Sequence, residues 1–177
     1  MLQKIKALSL KRWPWALLSL SALLLLGIAL YFQYEMNLQP CIKCIYIRAA
    51  FAGIAVAGLA GFLFAGIPFL RLLAVAGWLA ASVIGISQAA DLLAIEQLMQ
   101  DGGFFSCALF AEFPHWMPLD KWLPSVFEPT GSCGDTSWQF LDKSMSFWSW
   151  AILWGYAVIA ALILLSQPVR ISKNPYR

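Results

Sequence analysis

Four stretches without a single charged side chain, residues 13–34, 49–70, 72–90 and 144–169, constrain this chain more than any motif in it. They are 22, 22, 19 and 26 residues long, and a helix needs about 20 apolar residues to cross the hydrocarbon of a bilayer. Backbone exposed to lipid must satisfy its own hydrogen bonds, which leaves only helices and closed barrels. Runs of this length predict helices, and hence an all-α membrane protein built as a four-transmembrane-helix bundle. A soluble domain carries about 25% charged residues, and this chain carries 12% against 61% hydrophobic, so that class is excluded. A net charge of +3 is too weak to suggest nucleic acid. The surroundings implied are the lipid bilayer.

The layout predicted is a single membrane domain over 1–177, with spans at 14–34, 45–65, 71–90 and 145–166. Segments 1–13 and 167–177 and the turn 66–70 lie on one side, and segments 35–44 and 91–144 on the other. The first span follows Lys4, Lys6, Lys11 and Arg12. Its apolar run is longer than that of a secretory signal and no small-x-small cleavage site precedes Glu35, so it is expected to be retained. Short loops rich in Lys and Arg stay in the cytoplasm. Lys4, Lys6, Lys11, Arg12, Arg71, Arg170, Lys173 and Arg177 share one side with no acidic residue, while the other side holds all nine. Both chain ends are therefore expected in the cytoplasm, and Cys41, Cys44, Cys107 and Cys133 outside.

The tight turn at Gly66-Ile67-Pro68 makes the second and third spans antiparallel neighbours. Gly53, Ala57 and Gly61 on one, and Gly77, Ala81 and Gly85 on the other, form rows at helical spacing. Such rows let backbones approach closely where lipid supplies no hydrophobic drive, and the two are expected to face each other. In the long outer segment, Trp116, Leu119, Leu123, Val126 and Phe127 recur at roughly helical spacing. A short interfacial helix is expected from Pro118, kinked or ended at Pro124.

Pro40-Cys41-Ile42-Lys43-Cys44 stands just before the second span. A C-x-x-C pair is half of a zinc site, a redox pair or a coincidence. Zinc would need Cys107, Cys133 or His115 as further ligands, and no second C-x-x-C supplies them. Two structural disulfides in an oxidising compartment remain an alternative. Against it, Cys44 is expected in the first turn of a helix, where free N–H groups and the macrodipole favour an anion, with Arg48 one turn on. Both effects favour the reactive thiolate. Arg48 could also simply anchor the helix end at the interface. Cys107 and Cys133 have small, flexible neighbours, Gly102-Gly103 and Gly131-Ser132-Cys133-Gly134, which suit exchange with another protein.

Two outward redox pairs need an electron acceptor. The chain has no C-x-x-C-H for haem and no G-x-G-x-x-G after a strand for a nucleotide. An acceptor dissolved in the bilayer, a quinone, fits.

Pro40-Cys41-x-x-Cys44-x-x-x-Arg48, the run Phe113-Pro114-x-Trp116-x-Pro118-Leu119-Asp120-Lys121-Trp122, Gly131-x-Cys133 and Ser166-Gln167-Pro168 together resemble the bacterial inner-membrane disulfide bond formation protein B (DsbB) family. The resemblance spans nearly the whole chain. It implies an enzyme that reoxidises a periplasmic DsbA-like thiol oxidase and passes the electrons to ubiquinone or menaquinone. By it, Cys107 would form the mixed disulfide with the partner, Cys133 would attack Cys41, and Cys44 would be left as the thiolate that meets the quinone. Arg48 would sit beside that quinone. Where family members can carry a quinone-site His, this chain has Leu93, and Gln97 is the nearest polar candidate.

Two other readings differ in class or detail. A non-enzymatic four-span scaffold with two structural disulfides would resemble tetraspanins or claudins in outline, but their signatures are absent. A vitamin K epoxide reductase-like enzyme would carry its C-x-x-C in a different span.

Overall fold

The computed structural model describes residues 2–103, 113, 117–131, 133 and 138–167. A short helix, α1 (Leu2–Ser9), precedes α2 (Arg12–Tyr34), α3 (Ile42–Phe64) and α4 (Pro68–Gln100). Two single turns follow, α5 (Leu119–Trp122) and α6 (Pro124–Phe127). A two-stranded hairpin, β1 (Gln139–Phe140) and β2 (Lys143–Ser144), then leads into α7 (Met145–Ser166). Helices α2, α3, α4 and α7 are each long and apolar enough to cross a membrane. The protein is an all-α, multi-pass membrane bundle.

The helix starts follow from local chemistry. Pro68 occupies the first turn of α4, where its missing N–H costs nothing. Ser144 caps α7 by accepting from the Phe147 N–H at 3.4 Å. Helix α4 runs ten residues past the charge-free stretch ending at 90, carrying Asp91 and Glu96 with it. Charge ends the lipid-facing stretch there without ending the helix, because one face of the last three turns, Leu92, Ile95 and Glu96, stays buried against the bundle while the other is exposed.

Helix α3 packs between α2 and α4, and α7 packs on α4. The two glycine rows meet only in part. A Cβ on Gly53 would lie 3.2 Å from Ala81, and one on Gly85 2.8 Å from Ala50. Gly61 instead receives the Trp15 ring, a Cβ on Gly58 would lie 2.8 Å from the Ser19 backbone, and Gly77 faces open space. Helix α3 is buried on two sides, so its small residues serve α2 as well as α4.

At the end carrying Lys6, Lys11, Arg12 and Arg71, α1 folds back on α7. Lys6 Nζ donates to the Gln167 carbonyl at 2.7 Å and Arg71 Nε to Gln167 Oε1 at 3.3 Å. Trp15 Nε1 donates to the Ser9 carbonyl at 2.9 Å. Gln167 thus joins α1 and the start of α4 to the end of α7 at this one end of the bundle.

At the opposite end, the expected interfacial helix is two turns broken at Leu123, whose φ of −138° and ψ of 68° are not helical. A proline disfavours helical geometry in the residue before it and starts a new turn. Phe127 is buried, Trp122 and Leu123 are exposed, and Trp116 lies outside the described residues. The hairpin turns through Leu141 and Asp142, with φ of 52° and 57°, the paired left-handed geometry that matches strand twist.

Candidate functional site

A partly open cavity of about 310 Å³ lies at this second end, between α2, the start of α3, the end of α4 and the start of α7. Its walls are mainly apolar, from Leu25, Ile28 and Phe32 on α2 to Phe51, Leu92 and Ile152. Phe32, Trp138, Phe140 and Trp148 form a chain of aromatic contacts along one side, with centroids 5.0 to 6.3 Å apart. Into it come few polar groups: Gln39, Cys41, Cys44, Arg48, Glu96, Ser146 and Ser149.

Helix α3 begins at Ile42, so the residue that caps it is Cys41. Its sulfur accepts the Cys44 N–H at 3.4 Å and lies 3.1 Å from the Cys44 sulfur, and neither cysteine is in a disulfide. The hydrogen bond with the Cys44 thiol lowers the Cys41 pKa from 9.0 to about 7, with burial opposing and backbone N–H groups assisting. The thiolate expected at Cys44 in this helix turn is therefore favoured at Cys41 in the free dithiol. Cys44 does lie in the first turn of α3, and the thiolate is favoured at Cys41 chiefly because of its hydrogen bond with the Cys44 thiol.

Arg48 is 6% exposed and does not reach out to the interface. Its guanidinium donates to the Ala29 carbonyl at 3.1 Å, to the Gln33 side chain, and to the Val126 carbonyl at 3.1 Å. Two elements, α2 and α6, are thereby tied to α3. All three acceptors are neutral, and no carboxylate pairs with Arg48 among the described residues. The cavity wall is left with an uncompensated positive charge, suited to an anion or a polarised carbonyl oxygen.

Cys133 is 6% exposed, disulfide-bonded, and part of the same buried cluster as Cys41. The chain before it is docked by two backbone bonds, from Thr130 and Gly131 N–H to the Pro40 carbonyl, both at 3.0 Å. Cys107 and His115 lie outside the described residues. Lys43, between the two cysteines, pairs with Asp91 at 2.8 Å and donates to Gln88 at 2.9 Å, holding this turn against α4.

Gln97, the polar candidate nearest Leu93, is exposed and does not line the cavity, and neither does Leu93. The preceding residue, Glu96, does, and it is buried. One helical position is about 100°, enough to turn a side chain from the wall to the outside. The signal was present in the row Gly85, Ala89, Leu92 and Glu96, which continues one buried face to the end of α4.

The family model for disulfide bond formation protein DsbB matches residues 11–163. The chain belongs to the DsbB family. It is 42% identical over 177 residues to disulfide bond formation protein B of Pasteurella multocida, covering 100% of this chain and 98% of that one. The Mannheimia succiniciproducens protein of that name is likewise 42% identical over 177 residues, with the same coverage. The Shewanella frigidimarina protein is 44% identical over 154 residues, covering 87% of this chain and 88% of its own. A role in disulfide bond formation follows for this DsbB-family chain, and the free pair at Cys41 and Cys44 suits it.

Proposed function

We propose that this chain reoxidises a periplasmic DsbA-like dithiol oxidase and passes the two electrons to a membrane quinone, ubiquinone or menaquinone, sustaining disulfide formation in exported proteins. It would act as a protein-dithiol:quinone oxidoreductase in the bacterial inner membrane, with the chain ends cytoplasmic and the cysteines periplasmic. The observation that carries this reading is that Cys41, Cys44 and the charge-unbalanced Arg48 line one apolar cavity. A volume near 310 Å³ with mainly apolar walls and few polar groups fits a substituted quinone ring.

The chemistry is thiol-disulfide exchange. A thiolate of the partner attacks Cys107, breaking its bond to Cys133. Cys133 then attacks Cys41, the bond from Cys41 to Cys44 breaks, and Cys44 leaves as a thiolate beside the cavity. The partner's second thiol displaces Cys107, which recovers its bond to Cys133 and releases Cys41. The partner leaves oxidised, and Cys41 and Cys44 hold its two electrons. Free Cys41 and Cys44 beside a bonded Cys133 match that last state. Arg48 stabilises negative charge on Cys44 and would hold a ring oxygen, with Trp138 and Trp148 excluding water. A bound quinone would take up two electrons and two protons.

Purification with native lipids, followed by mass identification of what co-purifies, tests the reading. A quinone is expected. A preparation holding none, and unable to reduce added quinone, would overturn it.

A further inference from the structure

Glu96 is the one carboxylate that lines the cavity among the described residues, and it is 6% exposed. An ionisable side chain buried in a membrane bundle is costly and points to function. Its Oε2 accepts from Ser144 Oγ at 2.7 Å and its Oε1 from Ser146 Oγ. No cation pairs with it among the described residues. Ser144 is the cap of α7, so the carboxylate lies by that helix N-terminus, where an anion is favoured. The cavity therefore has a cation on one wall, Arg48, and an anion on another.

A carbonyl oxygen is attracted to Arg48 and repelled by a carboxylate, unless the carboxyl group carries a proton and donates it. Arg48 keeps its proton at any working pH. Cys41 and Cys44 supply the electrons. Glu96 is the remaining ionisable group lining the cavity.

We propose that Glu96 takes up a proton when a quinone enters the cavity and hands it to the ring as the dithiol is oxidised, with Ser144 linking it to the outer surface. The inference rests on the quinone-reductase reading above. Cys41 and Cys44 lose two electrons and two protons as their sulfur–sulfur bond forms, and the quinone gains two of each. Glu96 gives one proton and recovers one, directly from the thiols or through Ser144, and ends unchanged.

The charged and titratable groups facing Glu96 are few. From α3 come Arg48, Cys41 and Cys44. Its own helix offers Asp91, already paired with Lys43. From the hairpin comes Lys143, whose Nζ lies over the Phe147 ring at 5.3 Å. The α2 lining residues, Leu25, Ile28, Ala29 and Phe32, do not titrate.

The test is the affinity of a short-tailed quinone for the purified full-length protein across neutral pH. Quenching of the cavity tryptophans gives the readout, with Cys41 and Cys44 oxidised so that no electrons flow. Linked uptake of one proton makes the Kd weaken up to tenfold per pH unit as pH rises. Glu96→Gln, which keeps the shape and always donates, should bind with a flat profile and turn over about 10²- to 10⁴-fold more slowly. A purely structural clamp between α4 and α7 would leave the wild-type affinity flat, and that result overturns the proposal. Absence of binding at every pH overturns the quinone reading itself, and this proposal with it.

Discussion

The Gly131 N–H donates to the Pro40 carbonyl at 3.0 Å, which docks the chain entering Cys133 directly against the chain entering Cys41. The approach is possible because Gly131 has no side chain, since a Cβ there would overlap the Gln39 carbonyl oxygen. Gly131→Ala must therefore push the Cys133 segment away from Cys41. Exchange between the two pairs should slow by about tenfold to a hundredfold, the scale for a displacement near 1 Å. Rapid mixing with a reduced thioredoxin-like partner and acid-quenched thiol labelling should show the partner adduct forming normally while electrons reach Cys41 and Cys44 late. Unaltered transfer would mean that the docking does not position Cys133.

Cys41 should titrate early. In the free dithiol its alkylation rate should rise with pH about a midpoint near 7, against 9.0 for an ordinary thiol. Cys44→Ala removes the largest cause, the hydrogen bond from the Cys44 thiol, so the Cys41 midpoint should move upward. The thiolate is the form favoured by lowering, so reactivity is present above the midpoint and lost as pH falls through it. A midpoint that stays put in Cys44→Ala would assign the shift to the helix N–H groups instead.

Arg48 is expected to tolerate neither Lys nor Ala. Its planar fork reaches acceptors on α2 and α6 at once, which a single ammonium group cannot reproduce. Loss of a charge-assisted contact costs about 1.5–3 kcal/mol, or about ten- to a hundredfold. Arg48→Ala should raise the quinone KM, lower turnover, or both, and Arg48→Lys should recover only part. Partner exchange at Cys107 should survive in both. Unchanged quinone kinetics would reduce Arg48 to a brace between helices.

The spans were legible because an uncharged run has few alternatives to crossing a bilayer, and C-x-x-C before a span marks a turn that lines the cavity. What periodicity could not supply was depth and direction. Asp91 marked where lipid contact ends, and so hid the last three turns of α4 and the cavity face that Glu96 completes. Gln97 is the polar residue nearest Leu93, but the helical phase set by Ala89 and Leu92 turns Glu96 into the cavity. Cys44 in the first turn was legible, but Cys41 as the cap needed the helix start to the exact residue. Gln167 belonged to a motif with no evident purpose until Arg71, Lys6 and Ser9 gathered around it. Helix α1 and the Leu141-Asp142 turn carry weak local signals and owe their form to tertiary contacts.

Stability should follow the glycines unevenly. Gly61→Ala would force the Trp15 ring from its place, and overpacking of this kind costs about 1–3 kcal/mol. Gly77 faces open space, so Gly77→Ala should be neutral or slightly stabilising through helix propensity. Thermal unfolding in detergent compares the two. Equal effects would mean that the rows act alike, as their spacing alone suggests.

The central claim is that electrons entering as a partner's dithiol leave on a quinone through Cys41 and Cys44. It is tested most directly by counting both in a single purified reaction. Reduced thioredoxin-like partner and quinone are mixed with the protein, and disulfide formed in the partner is measured against quinone reduced. The account predicts equal amounts, with quinone reduction abolished in Cys44→Ala while the partner adduct at Cys107 still forms. Partner oxidation with no quinone reduced, or quinone reduction that survives in Cys44→Ala, would contradict it.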